Sequence, residues 1–241
     1  MIHQERRGDV VLLILDRPER RNALDLVHCR QLAELIETSV TAGARAIVLT
    51  GSGPHFCAGA DLTGVEDGDF IDALHAALDA LATAPIPTIA AVQGAALGGG
   101  TQLAIACDVR VARPDARFGI PAAKLGLMVD HWTVKRLALV AGFGPAQAML
   151  LAAEEYDGEA AHRLGFVQRL GDLEDAVAWA TSVAGLAPLT MAGHKLGLNL
   201  IEQGSDPSAY REAFHTAWAS EDHRGAMAAR AAKTPPTFTG R

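Results

Sequence analysis

Cysteine is scarce in this chain of 241 residues: Cys29, Cys57 and Cys107 are odd in number and include no C-x-x-C pair. Such a set excludes a disulfide framework and suits reduced thiols in a reducing compartment. The histidines are scattered, without ligand spacing to one another or to the cysteines, so no metal site is expected. No G-x-S-x-G elbow occurs either, which removes the usual serine-hydrolase reading. Long basic runs are missing. The formal charge is -7, and the short stretch Arg17-Pro-Glu-Arg-Arg21 contains its own acid and a proline. Phosphate neutralisation needs a clustered positive face, so nucleic acid is not the expected partner. Arg17, Arg20 and Arg21 read either as a solvated loop or as an anion contact. The N-terminus lacks the charged start, apolar middle and small-residue cleavage site of a signal peptide, which makes the cytoplasm the default location. The longest apolar stretch, Pro87 to Cys107, is broken by Gln93, Gln102 and four glycines and reads as strand, turn and helix rather than a membrane span.

What is present is aliphatic. Hydrophobic residues make up 49% of the chain and aromatics only 5%, enough aliphatic surface to bury a core without staples. The length suits one α/β domain. After a strand-like N-terminus, Val10 to Asp16 is a β-rich apolar run stopped by Arg17-Pro18, and Asn22 to Ala42 carries helical spacing. Arg45 to Thr50 reads as a strand, Phe70 to Ala84 as a helix and Ile86 to Val92 as another strand. A helix is then expected from the glycine run to about Cys107. Alternating strands and helices predict parallel β-strands with crossover helices in the first half. From His131 onward alanine-rich helical spacing dominates. The tail Lys233-Thr-Pro-Pro-Thr-Phe-Thr-Gly-Arg241 is expected to be frayed or pinned against a partner subunit.

Two glycine loops follow strand ends. Gly98-Gly99-Gly100 stands between a strand and a helix, where unpaired N–H groups and the positive helix end suit an oxyanion or a phosphate. A dinucleotide fingerprint needs glycine where Leu103 stands, and a P-loop needs lysine where Gly100 stands, so neither nucleotide motif is met. The triple glycine alone also permits a purely structural reading, tight strand-to-helix packing. The second loop, Cys57-Ala-Gly-Ala-Asp-Leu62, leaves another strand end. Two backbone donors converging from two such loops would form an oxyanion hole for a polarised carbonyl.

Five segments, in this order and spacing, resemble the crotonase, or enoyl-CoA hydratase/isomerase, superfamily. They are Arg17-Pro-Glu-Arg-Arg-Asn-Ala-Leu24, Ala44-Arg-Ala-Ile-Val-Leu-Thr-Gly51, Phe56-Cys-Ala-Gly-Ala-Asp-Leu62, Pro87-Thr-Ile-Ala-Ala-Val-Gln-Gly-Ala-Ala-Leu-Gly-Gly-Gly100 and Ala106-Cys-Asp-Val-Arg110. The resemblance spans nearly the whole chain. It implies an α/β ββα spiral core over 1–185 carrying the acyl-CoA site, and a C-terminal helical region over 186–241 that mediates trimers or dimers of trimers. It further implies oxyanion donors at the N–H groups of Ala60 and Gly99. Main-chain groups of Ala58, Ala60, Asp61 and Leu62 would meet the CoA adenine, and Arg21 and Ala23 lie where CoA phosphates are met. No cofactor is implied beyond acyl-CoA itself as ligand or substrate.

At the two positions where the family carries its hydratase glutamates, this chain departs. The first, three residues after the second oxyanion glycine, is Gln102. The second, after the proline of Phe118-Gly-Ile-Pro121, is Ala122. General acid–base groups contribute about 10²–10⁴-fold each, so losing both removes most hydratase activity while leaving thioester binding intact. Asp130, in Gly126-Leu-Met-Val-Asp-His-Trp-Thr133, matches an aspartate that other members use for proton transfer or as a nucleophile. It also reads as the N-cap of a helix over His131 to Val140. Trp132 reads as a core residue or as a wall of the acyl pocket. With Gln102, the Gly-Leu-x-x-Asp-x-Trp pattern resembles a hydratase-deficient acyl-CoA-binding branch of mycolic-acid-forming bacteria associated with acyl supply to fatty-acid elongation. The expected function is acyl-CoA binding in fatty-acid metabolism without normal hydratase activity. The alternative is an isomerase, hydrolase or atypical hydratase working through Asp130, so whether the chain is an enzyme stays open on sequence.

Overall fold

A computed structural model describes residues 1–61, 68–206 and 208–241. The predicted contact Leu62 lies outside these residues. The chain begins with a hairpin, β1 (Ile2–Arg7) antiparallel to β2 (Val10–Leu15), whose two-residue turn holds Gly8 at φ +63°. Four parallel strands extend it: β3 (Ala46–Gly51), β4 (Thr88–Val92), β6 (Val109–Ala112) and β9 (Arg169–Leu170), in the order β1-β2-β3-β4-β6-β9. Between β2 and β3 runs α1 (Leu26–Thr41), and between β3 and β4 runs α2 (Gly68–Thr83). The predicted parallel sheet with crossover helices is thus present.

The central strands read as unbroken apolar runs because both faces are covered. Val11, Leu13, Leu15, Ile47 and Leu49 point into the main core with α1 and α2. Their alternates Val10, Leu12, Ala46 and Val48 face α7 (Leu173–Ala184) through Ala176, Val177 and Ala180. This two-residue alternation seats the sheet between two helical layers.

A second sheet is formed by β5 (Ala95–Leu97), β7 (Arg117–Gly119) and β8 (Glu155–Asp157), in that order. Sequence reasoning left β5 inside the glycine loop. Each strand has only three residues, too few for a period to be read. From β5 the chain enters α3 (Gly99–Ala106), and α4 (His131–Ala141), α5 (Phe143–Leu151) and α6 (Gly158–Arg163) follow β7.

Three helices close the chain: α8 (Pro188–Gln203), α9 (Ser208–Ala219) and α10 (Glu221–Ala232). Lys195 on α8 is buried and donates to the carbonyls of Leu81 and Ile86 and to Asp108 Oδ2 at 2.8 Å. It ties the C-terminal helices to the end of α2 and the start of β4. Among the described residues no single helix is long and apolar enough to cross a membrane. The consecutive apolar helices α7 and α8 meet at 109°.

Two expectations need correction. The helix predicted from Asn22 begins at Leu26, because Arg21 and Asn22 adopt left-handed conformations (φ +51° and +57°) and Asp25 caps the helix by accepting from the His28 N–H. The last residues of the tail, expected to be frayed or pinned against a partner subunit, are tied within the chain itself. Asp222 accepts from the N–H groups of Thr239 and Gly240, and Arg45 donates to the Phe238 carbonyl, folding the last residues back on their own chain.

Candidate acyl-thioester site

The loop 56–60 is laced on both sides by backbone. Cys57 N–H donates to Ala95 O and receives Leu97 N–H on its own carbonyl, while Leu24 N–H donates to Gly59 O and Asp61 N–H to Leu24 O. The glycines are obligatory here. A methyl on Gly100 would lie 2.0 Å from the Cys57 carbonyl oxygen, and Gly59 sits at φ +116° with Leu97 O only 3.1 Å from where its Cβ would stand. Gly98, the residue before α3, has φ +51° and ψ -116°, a conformation closed to residues with a side chain.

These constraints bring the two strand-end loops together. A methyl on Gly99 would lie 3.5 Å from the Ala60 nitrogen. Neither the Ala60 nor the Gly99 N–H donates to any loop, turn or cap acceptor among the described residues. Gly99 opens α3, so the positive helix end adds to the field there. Two adjacent unpaired N–H groups are what a developing oxyanion needs.

The approach to this pair is held by the 17–25 segment. Arg21 O accepts the Ala58 N–H, and Asn22 donates to the carbonyls of Ser52 and His55 while accepting from Arg17 N–H. Arg17 is not a solvated loop residue. Its guanidinium reaches Asp61 Oδ2 at 2.9 Å and Asp25 Oδ2 at 3.3 Å. Arg21 and Arg20 are exposed, and Ala23 is half-buried beside them. His55 is structural, its Nδ1 accepting the Ala95 N–H at 3.1 Å. Cys57, although on the loop, is no nucleophile, because burial pushes its thiol up to about 12.

Around the other side stand the departures from the family pattern. Gln102, 6% exposed, follows Gly99 on the same face of α3. Its Nε2 donates to Thr133 Oγ1 at 2.7 Å, and Thr133 donates in turn to Asp130 Oδ1. Ala122 lies in the 3-10 turn Pro121–Leu125 and, with Ala60, Val129 and Trp132, packs half-buried against the main core. Asp130 is the N-cap of α4, accepting from the N–H groups of Trp132 and Thr133. His75 of α2 approaches its Oδ2 at 3.5 Å. Sequence reasoning missed Thr133 and His75, which no motif marks; only the fold brings them to Asp130.

Among the described residues no group of histidine, cysteine and acid side chains is arranged to hold a metal. A cavity of about 330 Å³ lies elsewhere, between α8, α9 and α10 and lined by Tyr210, Phe214 and Trp218. It touches none of the predicted site residues.

The family profile described as enoyl-CoA hydratase/isomerase matches residues 5–239. The chain belongs to the enoyl-CoA hydratase/isomerase family. It is 45% identical over 242 residues to a probable enoyl-CoA hydratase, echA6, of Mycobacterium tuberculosis, covering 97% of this chain and 98% of that one. To the 2,3-dehydroadipyl-CoA hydratase of Escherichia coli it is 34% identical, covering 98% and 97%. The crystal structure of a putative family protein from Hyphomonas neptunium superposes with a TM-score of 0.91 at 29% identity, covering 100% and 98%. The crotonase fold expected from sequence is therefore the fold observed.

Proposed function

We propose that this enoyl-CoA hydratase/isomerase family member binds acyl-CoA thioesters in fatty-acid metabolism and lacks ordinary hydratase activity. The observation that carries the reading is the adjacent pair of unpaired N–H groups, Ala60 and Gly99. A thioester oxygen held there is polarised. Hydration further requires one group to activate water at the β-carbon and another to supply a proton at the α-carbon. At those positions Gln102 is an amide engaged with Thr133, and Ala122 offers only a methyl. In the same reading Arg21, Ala23, Ala58 and Asp61 border the CoA moiety, and Trp132 walls the acyl pocket.

A second reading is favoured by His75 beside Asp130: the carboxylate acts as acid/base or nucleophile in isomerisation, hydrolysis or atypical hydration. Against it, both Asp130 oxygens already accept backbone N–H groups as a helix cap. Purified protein assayed with crotonyl-, dienoyl- and long-chain enoyl-CoA, beside Asp130→Asn, separates the two. Binding without turnover supports the first reading, and turnover abolished by the variant supports the second. The proposal extends to a homotrimer or dimer of trimers and to contacts with fatty-acid elongation enzymes. Exposed Leu198 and Ile201 on α8 and Phe214 and Trp218 on α9 supply apolar surface for such contacts.

A further inference from the structure

Helix α8 meets the rest of the chain through polar side chains. Its buried residues are Gly193, Lys195 and Glu202, whereas Leu198 and Ile201 are exposed. Lys195 and Glu202, seven residues apart, share one face of the helix, and Asn199 between them donates to Ala82 O at 2.9 Å. The three Lys195 hydrogens all find acceptors. Glu202 is less well served. Its Oε2 accepts from Arg136 Nη1, but Oε1 is buried without a hydrogen-bond partner among the described residues. The Arg136 and Glu202 side chains are only 11% and 9% exposed. A buried carboxylate held by one oxygen is costly, and apolar residues in place of a buried ion pair are often neutral or stabilising. Stability alone therefore does not account for the pair. Arg136 shows what else it does. On α4, its Nε donates to Ile105 O at 2.9 Å, one of the last carbonyls of α3, which has no partner within the helix. Three residues earlier on α4, Thr133 accepts from the Gln102 amide at 2.7 Å. Helices α3 and α4 are thus joined at two levels, and these are the helices that open on Gly99 and Asp130.

We propose that Glu202 is a positioning residue which, acting through Arg136, fixes α3 against α4 and so holds the Gly99 N–H at its distance from the wall of Asp130 and Trp132. The proposal rests on the acyl-CoA reading above. A guanidinium on a long, flexible stem is poorly fixed by one bond to Ile105 O; the charge-assisted bond to Glu202 removes its remaining freedom. From Ile105 to Gly99 is six residues, roughly 9 Å of helix at 1.5 Å per residue. All eight residues of α3 are buried, and a close-packed helix shifts as a body rather than bending within its length. A displacement allowed at the Ile105 end is therefore felt at the Gly99 N–H. Glu202 itself bonds to none of the site residues among those described, so the C-terminal helices act on the site at one remove.

The test compares two readouts, dodecanoyl-CoA affinity by calorimetry and the urea midpoint, in the unaltered full chain, in Glu202→Leu and in the double variant Arg136→Met with Glu202→Leu. Affinities are measured at a temperature where each protein is folded. Glu202→Leu leaves Arg136 buried without its counter-ion and is expected to lower both midpoint and affinity. The double variant carries no buried charge, so its midpoint is expected to return close to that of the unaltered protein. Its affinity is expected to stay about fivefold or more weaker, the low end of couplings between separate sites. A pair that served stability alone would recover both together. Dodecanoyl-CoA bound by the double variant as tightly as by the unaltered protein overturns the proposal and leaves acyl-CoA binding standing. Failure of the unaltered protein to bind any acyl-CoA overturns both.

Discussion

A single carbonyl oxygen, that of Cys57, governs how closely the two donor loops approach. It lies 2.0 Å from where a Gly100 side chain would begin, and backbone cannot yield there as a flexible side chain can. Gly100→Ala is expected to cost on the order of 1–3 kcal/mol, the usual range for overpacking, read as a lower urea midpoint, and to weaken acyl-CoA binding by moving Ala60 from Gly99. The thiols offer a second test at this scale. Burial pushes Cys29, Cys57 and Cys107 up to about 12. A thiol reagent at pH 8 should therefore find none of the three in the native protein and all three after unfolding.

At the scale of elements, the C-terminal helices hang on buried polar anchors. Lys195→Met strips α8 of its link to Asp108 and to the Leu81 and Ile86 carbonyls. The expected loss is about 2–3 kcal/mol, below the full penalty for a broken buried pair because Asp108 is partly exposed. A chemical denaturation curve measures it. The tail clamp should be acid-sensitive. Burial raises the Asp222 carboxyl, but hydrogen bonds from Thr239 and Gly240 outweigh it and hold the group below its ordinary 3.8. A carboxyl lowered on folding stabilises fully above its unfolded value and loses that contribution as pH falls through the folded one. Exchange protection of the Thr239 and Gly240 amides should thus be flat above about pH 5 and drop below about pH 4. These elements also mark how far the sequence could be read. Strands β2, β3 and β4 announced themselves as apolar runs bounded by turn residues, and Asp130 was visible as a cap from the helical run after it. Nothing local distinguishes β5, β7 and β8, which are strands only because they pair with one another. Thr133 looks like any residue in the first turn of a helix until Gln102, 31 positions earlier, is folded against it. The Asp222 clamp, likewise, is one acid in a polar helix until the tail returns to it.

For the molecule as a whole, the fold sets the Ala60 and Gly99 N–H groups side by side, with an amide at Gln102 and a methyl at Ala122. Under the proposed function, ligand binding and chemistry are separated on one scaffold. The most direct measurement is a paired one on the same preparation: thermal stabilisation by acyl-CoA, and the rate of crotonyl-CoA hydration. The account predicts a clear, concentration-dependent rise in Tm together with hydration slowed about 10⁴-fold or more relative to family members that keep both glutamates, the combined effect of two missing acid–base groups. Hydration at the rate of such members, or no stabilisation by any acyl-CoA, would contradict it.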